Sequence, residues 1–298
     1  MPEQVLPRYP VYVPTKGRHA RPLTLRFLMR DRVPFWAVVE QEEHDAYAAI
    51  VGESRVLVLD KSGGGLIYAR NWIKQHSIEQ GAARHWQLDD NIGEVLRVYR
   101  GRRVPCDSGP ALRVVDDFVD RYTNVALAGL NYRFFVHRRP VPFVRNVHVY
   151  SCTLVNNAIP HAWRLAYNDD TDLCLQVLAD GWCTVLVNAF AIDKKRTMTV
   201  SGGNTDDLYQ GDGRLVMARQ LERVWPGVVT TDRRYGRPQH VVRGAWRKFD
   251  TPLVLRDDVD LDALAEPNEY GMQLTEVKTV QSTTLQKLAK DYRRAAAL

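Results

Sequence analysis

Cysteine is scarce in this sequence, and long apolar runs are missing. Its 298 residues include four cysteines, Cys106, Cys152, Cys174 and Cys183, none spaced as CxxC. That excludes a zinc knuckle and a thioredoxin-type redox pair. Three of them sit among apolar residues and read as small buried hydrophobes, which suits a reducing compartment. No apolar stretch approaches the roughly 20 residues of a membrane span. Met1–Pro10 lacks the basic-then-apolar order of a secretory leader. The expectation is a protein that stays in the cytoplasm where it is made and spans no membrane. A Walker A loop, GxxxxGK[ST], is absent too. So are an internal repeat and a clear linker.

What is present is an ordinary globular composition with a basic excess. Hydrophobic residues make up 45% and charged residues 26%, with a formal net charge of +6. The chain is long enough for a substantial core. Its charge favours a polyanionic partner without demonstrating one.

The first half alternates. Residues 11–13, 35–40, 55–60 and 83–88 each read as a short apolar strand. Helix-length segments separate them: one through Leu23, Leu25, Phe27 and Leu28, one over 42–51, and one over 65–80 with Ile67, Trp72, Ile73 and Ile78 at helical spacing. This order predicts βαβ units and a parallel sheet. Such sheets bind ligands at the carboxyl ends of their strands. The polar clusters at 14–18, 60–64 and 89–91 fall at those ends. The second half is less regular. It predicts strands within 143–154, a helix over 170–181 stopped by Gly181, and a strand over 182–190. A Gly-, Asp- and Thr-rich stretch at 196–213 reads as a mobile loop. A basic helix with Lys287, Lys290, Arg293 and Arg294 closes the chain.

Four clusters could carry chemistry. Asp89-Asp90-Asn91 places acids at the end of a buried strand, where they need compensation by cations or hydrogen bonds. Such oxygens suit Mg²⁺ or Mn²⁺, which also bind substrate phosphates. The trio equally suits an Asp-rich turn that caps a following helix. In Pro14-Thr15-Lys16-Gly17-Arg18 the two cations can contact a diphosphate, and Gly17 allows close approach; a basic surface turn is the plainer reading. Gly63-Gly64-Gly65 exposes helix amides ahead of Arg70 and Asn71, which suits an anion, or else forms a flexible loop. Asp169 and Asp170 open a helix. They can cap it, and either can act as a general base toward a hydroxyl.

The stretches VYVPTKGR, ARN, WQLDDNI and NDDTDLCLQVLADGWCTV, in that order, resemble the GT-A glycosyltransferases. Within that fold they are similar to the glycosyltransferases associated with TET/JBP dioxygenases in bacteriophages, over about residues 10–200. The resemblance implies an α/β, Rossmann-type, mostly parallel sheet flanked by helices, with an irregular acceptor-side second half. It implies a GT-A core over 1–205, divided into a nucleotide-sugar half (about 10–95) and an acceptor half (about 96–205). Residues 206–298 would form an extension packed on that core.

The implied reaction is metal-dependent transfer of a sugar from a nucleotide sugar, UDP-linked, to 5-hydroxymethylcytosine in double-stranded DNA. The implied outcome is inversion. Asp89, Asp90 and Asn91 would hold Mn²⁺ or Mg²⁺, with Asn91 where a second carboxylate is usual. Pro14, Thr15, Lys16, Arg18, Glu40, Asp60, Arg70, Asn71, Asp89 and Asp90 would surround the donor. Asp170 matches the base position, with Asp169 as its alternate. If the gene is a phage gene, the compartment is the host cytoplasm.

Three basic runs bear on the acceptor. The first holds Arg97, Arg100, Arg102 and Arg103; the second holds Arg133, Arg138, Arg139 and Arg145 among Tyr132, Phe134, Phe135 and Phe143. The third runs from Arg233 to Lys248. Cations contact phosphates while aromatics stack on bases. Arg100, Arg102, Arg103, Arg138, Arg139 and Arg145 are the DNA-contact candidates. The alternatives are a GT-A enzyme with another acceptor, a sugar-nucleotide nucleotidyltransferase, or a nucleic-acid-binding module without catalysis.

Overall fold

In the computed structural model of the chain, residues 4–136, 141–195, 213–234, 236–242, 244–268 and 272 are described. Arg138, Arg139, the 196–212 part of the expected loop and the expected terminal helix lie outside the described residues. The chain divides into two compact units, Met1–Leu255 and Arg256–Leu298. In the second, the described residues form turns, and Arg256 pairs with Asp258 at 2.8 Å.

The first unit is built on a ten-stranded sheet. Strands β1 (Val11–Pro14), β2 (Trp36–Val39), β3 (Val56–Val58) and β4 (Arg84–Leu88) lie side by side in the order β3-β2-β1-β4, all parallel. Helices α1 (Leu23–Arg30), α2 (His44–Val51) and α3 (Gly65–Glu79) connect them. Every strand and helix expected of the first half is present. The reason is visible in β1, where Val11, Tyr12 and Val13 are all buried. A central strand covered on both faces has no polar face to alternate with.

The sheet continues from β4 through β9 (Cys152–Asn156), β7 (Val125–Tyr132), β10 (Cys183–Lys194), β5 (Ile92–Tyr99) and β6 (Arg102–Cys106); β8 (Phe143–Arg145) pairs with β10. Strands β3, β2, β1, β4, β7, β10 and β6 point one way, and β9, β5 and β8 run opposite. Helix α4 (Ser108–Val119) links β6 to β7, and α5 (Asp169–Ala179) precedes β10. Helix α6 (Gly213–Val224), the hairpin β11 (Val229–Arg234) and β12 (Arg237–Val242), and the short α7 (Ala245–Lys248) complete the unit. Leu221 and Val229 pack there with Leu165 and Leu175, so the helix expected at 170–181 is buttressed from the far side.

Two differences from the sequence expectations matter for the site. The acidic trio does not cap a helix: the chain turns from β4 straight into β5 at Ile92. Strand β10 is also longer than the apolar run of 182–190, reaching Lys194 with its pairing shifted between Ile192 and Lys194. A register irregularity of this kind re-aims a side chain. Gly129 in β7 allows a third feature. A Cβ there would collide with the Cys152 carbonyl oxygen, so only glycine lets β9 approach this closely.

Candidate active site

The carboxyl ends of β1, β4 and β7 open into a cleft of about 350 Å³, within the roughly 300–1,000 Å³ of small-molecule sites. Its floor is the acidic turn. Asp89 donates its N–H to the Ser151 carbonyl at 2.7 Å. Thr24 in α1 holds the turn from below, its Oγ1 donating to the Asp89 carbonyl at 2.6 Å and accepting the Ile92 N–H at 3.0 Å. Ser151 adopts a left-handed backbone (φ 61°), as does Asn168 (φ 53°), and both line the cleft. Such conformations in non-glycine residues persist only where the surroundings over-determine them.

Protein cations hold the two carboxylates of the floor. Asp89 receives Lys194 Nζ at 2.7 Å and Arg70 Nη2 at 3.1 Å. Burial works to raise its pKa, but Lys194 and Arg70 outweigh that and hold it below the usual carboxylate range. Lys194 also donates to Ser151 Oγ at 2.8 Å, and Tyr132 Oη lies 3.4 Å away. Burial acts to lower the Lys194 ammonium, yet Asp89 shifts it upward overall. Asp90 pairs with Arg18 and accepts from Thr15 Oγ1 at 3.0 Å. Its pKa is raised, because burial exceeds the opposing pull of Arg18 and nearby Asp89 adds to it. Asn91 Oδ1 is buried without a hydrogen-bond partner. It is an acceptor that a ligand hydroxyl would satisfy.

The loop after β1 forms one wall. Tyr47, fully buried in α2, shares a hydrogen bond with Thr15 Oγ1 at 2.7 Å and accepts the Arg18 N–H at 3.1 Å. Lys16 Nζ reaches Glu40 Oε2 at 2.6 Å, and Glu40 Oε1 accepts the Gly63 N–H at 2.8 Å. Glu40 thereby ties the glycine-rich turn before α3 to the β1 loop. Pro14 lines the same wall.

The opposite wall is the start of α5. Asn168 precedes the helix and donates through Nδ2 to the Met217 carbonyl of α6 at 3.1 Å. Neither Asp169 nor Asp170 occupies the N-cap position. Asp169 forms an ion pair with Arg70 Nε at 2.9 Å whose alignment falls short of a hydrogen bond. Burial drives its pKa up, to about 6, against the pull of Arg70. Asp170 accepts the Thr171 N–H at 2.7 Å and faces His148 Nε2 at 3.2 Å. Burial opposes ionisation there, but His148 and the Thr171 amide hold the carboxyl well below the usual range. Arg70 therefore joins the two acidic stations, with Gln87 Oε1 as a third acceptor at 3.3 Å.

Cations already occupy the oxygens expected to hold Mn²⁺ or Mg²⁺. Asp89 is claimed by Lys194 and Arg70, and Asp90 by Arg18 and Thr15, which leaves one amide oxygen, from Asn91. Among the described residues no three His, Cys, Asp or Glu side chains form a metal-ligand group. A divalent cation of this kind takes about six oxygen ligands, so the residues as arranged do not fit one.

Other expected residues stand apart from the cleft. Asp60 accepts from Trp72 Nε1 at 2.8 Å. Asn71 clasps the Trp163 backbone, donating at 2.8 Å and accepting at 3.1 Å. Arg145 is bound to Asp250 at 2.9 Å. Arg103 donates to the Val136 carbonyl at 2.9 Å, while Arg100 and Arg102 stand on the β5–β6 hairpin. Sequence reasoning missed Thr24, Tyr47, His148, Ser151 and Lys194, while Tyr132, named among the aromatics of the second basic run, lines the cleft. The Asp193-Lys194-Lys195 run was the one available signal, and it reads as a solvated strand end. Cys152, Cys174 and Cys183 are buried free thiols.

Among solved structures, the chain is similar to a protein of Desulfovibrio desulfuricans G20 described as a nucleotide-diphospho-sugar transferase. The TM-score is 0.37 at 9% identity, covering 61% of this chain and 80% of that one. It is also similar to the mannose-1-phosphate geranyltransferase of Thermus thermophilus, with a TM-score of 0.31 at 13% identity over 61% of this chain and 57% of that one. No curated protein sequence matches the chain. The sequence model of the TET-Associated Glycosyltransferase family matches residues 9–203. That span contains every cleft residue named above except Met217. The chain belongs to this family and is a glycosyltransferase.

Proposed function

We propose that this TET-associated glycosyltransferase moves a sugar from a UDP-sugar to the hydroxymethyl group of 5-hydroxymethylcytosine in DNA, with inversion at the anomeric carbon and Asp170 as the base. The observation that carries this reading is the meeting of two stations in one cleft. Arg18 and Lys16 stand at the β1 end, Asp169 and Asp170 stand at the start of α5, and Arg70 pairs with both Asp89 and Asp169. Residues of about 10–95 serve the donor, and those of about 96–205 serve the acceptor.

The donor diphosphate lies against Lys16 and Arg18, whose charge-assisted hydrogen bonds stabilise the negative charge that grows as the bond from C1 to the diphosphate oxygen breaks. The acceptor oxygen attacks C1 from the opposite face. A new C–O bond forms, the diphosphate leaves with the bonding electron pair, and Asp170 takes the hydroxyl proton. Asp170 suits this role because it is part-exposed (34%) and ionised, with His148 and the Thr171 amide fixing its orientation. Asn91 Oδ1 accepts a donor hydroxyl. No step here is assigned to a metal ion.

The test is incubation of the protein with UDP-hexoses and DNA, with and without 5-hydroxymethylcytosine, followed by mass analysis of the nucleosides. A hexose adduct confined to hydroxymethylated DNA is the expected result. The absence of an adduct with every common UDP-hexose removes DNA as acceptor. Exchange of pyrophosphate into nucleoside triphosphate would replace the reading with a nucleotidyltransferase.

A further inference from the structure

Among the described residues nine large apolar side chains are exposed, and five of them stand on two segments that touch. Tyr99 (47%) and Val104 (44%) stand on the β5–β6 hairpin, while Phe134 (78%), Phe135 (41%) and Val141 (48%) stand between β7 and β8. The hairpin turns through Arg100 and Gly101, both at positive φ (47° and 76°), the conformation of a tight two-residue hairpin turn. Arg97 and Arg100 lie over the Tyr99 ring at 5.4 and 5.1 Å. The Arg103 bond to the Val136 carbonyl fastens this hairpin to the Phe134–Phe135 turn. That turn is itself closed by the Phe135 N–H on the Tyr132 carbonyl at 2.9 Å.

A line of rings runs from this patch into the cleft. Phe134 meets Phe135 edge-on at 5.3 Å, and Phe135 stacks on Tyr132 at 6.0 Å with 21° between planes. Tyr132 lines the cleft and shares a hydrogen bond with Ser151 at 2.6 Å. Solvated rings interleaved with arginines suit a polyanion that offers flat faces between its charges, which is a nucleic acid. A protein interface of similar area would instead carry a continuous apolar centre. Of the two acceptor-side carboxylates, Asp169 is recessed at 14% exposed and Asp170 beside it is part-buried at 34%, both inside the cleft. A substituent on a stacked base projects only to the major-groove surface, so the base has to leave the stack to reach them.

We propose that Phe134 is a wedge that enters the duplex where the acceptor base is extruded, while Arg100 and Arg102 of the hairpin hold the flanking phosphates. This rests on the DNA-acceptor reading above. The line through Phe135 and Tyr132 sets the gap in the duplex beside the mouth of the cleft.

The test uses a duplex containing 5-hydroxymethylcytosine with 2-aminopurine as its neighbour, and the same modified strand alone. Wild-type protein is expected to raise 2-aminopurine fluorescence in the duplex. Phe134→Ala is expected to lose most of that rise and to glycosylate the duplex at least about 10-fold more slowly. Its rate on the single strand should stay within about two-fold of wild type, since an unpaired base needs no wedge. Arg100→Glu with Arg102→Glu is expected to weaken duplex binding by at least about 10-fold and to reduce its salt dependence. Equal duplex rates and fluorescence for wild type and Phe134→Ala overturn the wedge while leaving the acceptor intact. If wild type glycosylates neither strand form, the acceptor reading itself has failed, and the wedge with it.

Discussion

Replacing Lys194 by methionine isolates the unexpected cation of the site. The Nζ–Oδ2 separation of 2.7 Å corresponds to about 6 kcal/mol of attraction at an effective dielectric near 20. Part of that offsets the desolvation of the ammonium, a cost the methionine does not incur. Breaking a buried pair destabilises by about 3–5 kcal/mol, because one charge is left uncompensated. Asp89 keeps Arg70 at 3.1 Å, which places the expected loss at the lower end, about 3 kcal/mol. For a unit of this size that is a fall in Tm of about 6–12 °C. Denaturant unfolding of wild type, Lys194→Met, Asp89→Asn and the double variant measures it. The double variant should recover at least about 1 kcal/mol relative to the sum of the single losses. Strict additivity, or a Lys194→Met variant within about 0.5 kcal/mol of wild type, would refute the argument that protein cations neutralise the floor.

Asp170→Asn is expected to lower turnover by about 10²–10⁴-fold while UDP affinity, measured by calorimetry, changes little; normal turnover would move the base elsewhere. The pH profile separates the two aspartates. With Asp170 as base, held low by His148, kcat/KM should show no acid limb near pH 6. A limb with a midpoint at about 6 would assign the base to Asp169. In stability the raised Asp169 has the opposite sign to an ordinary paired carboxylate. Between the unfolded value near 4 and about 6 the folded state binds the extra proton, so Asp169 favours folding at low pH, and that contribution is lost as pH rises through about 6. Arg70 is the cation that opposes this shift, and its removal would raise the Asp169 carboxyl further. Thr24→Val should cost about 1–3 kcal/mol in unfolding free energy, since it strips the Asp89 carbonyl and the Ile92 N–H of their shared partner.

The parts of the site that were legible in the sequence are those made by local order. Strands β1 to β4, the Lys16–Arg18 turn, the acidic floor and the paired acids of α5 each follow from a run of neighbouring residues and the element before it. The parts that were not legible come from distant segments. Lys194 enters the cleft only because β10 outlasts its apolar run and shifts register at Ile192. Ser151 reaches Asp89 through a left-handed backbone that no composition signals. Thr24 looks like any polar residue of α1 until the acidic turn is laid over it. Helix α4 and β7, buried from Val125 to Asn131, were passed over in the sequence, as was the hairpin that makes one basic run a surface. Arg145 and Arg103 show the reverse side, since basic runs read as DNA contacts include arginines that also bind the protein's own carbonyls.

Arg70 serves Asp89 and Asp169 at once, and a guanidinium so placed cannot be drawn toward a third anion without loosening its hold on one of them. On the proposed donor site, a diphosphate that attracted it would strip Asp169 of counter-charge and raise its affinity for a proton. Donor capture would thereby be linked to proton uptake near neutral pH. Linkage is reciprocal, so donor affinity is expected to decline as protons become scarce. Calorimetry in buffers of different ionisation heat checks it: the binding enthalpy should depend on the buffer, and affinity should fall in alkaline solution.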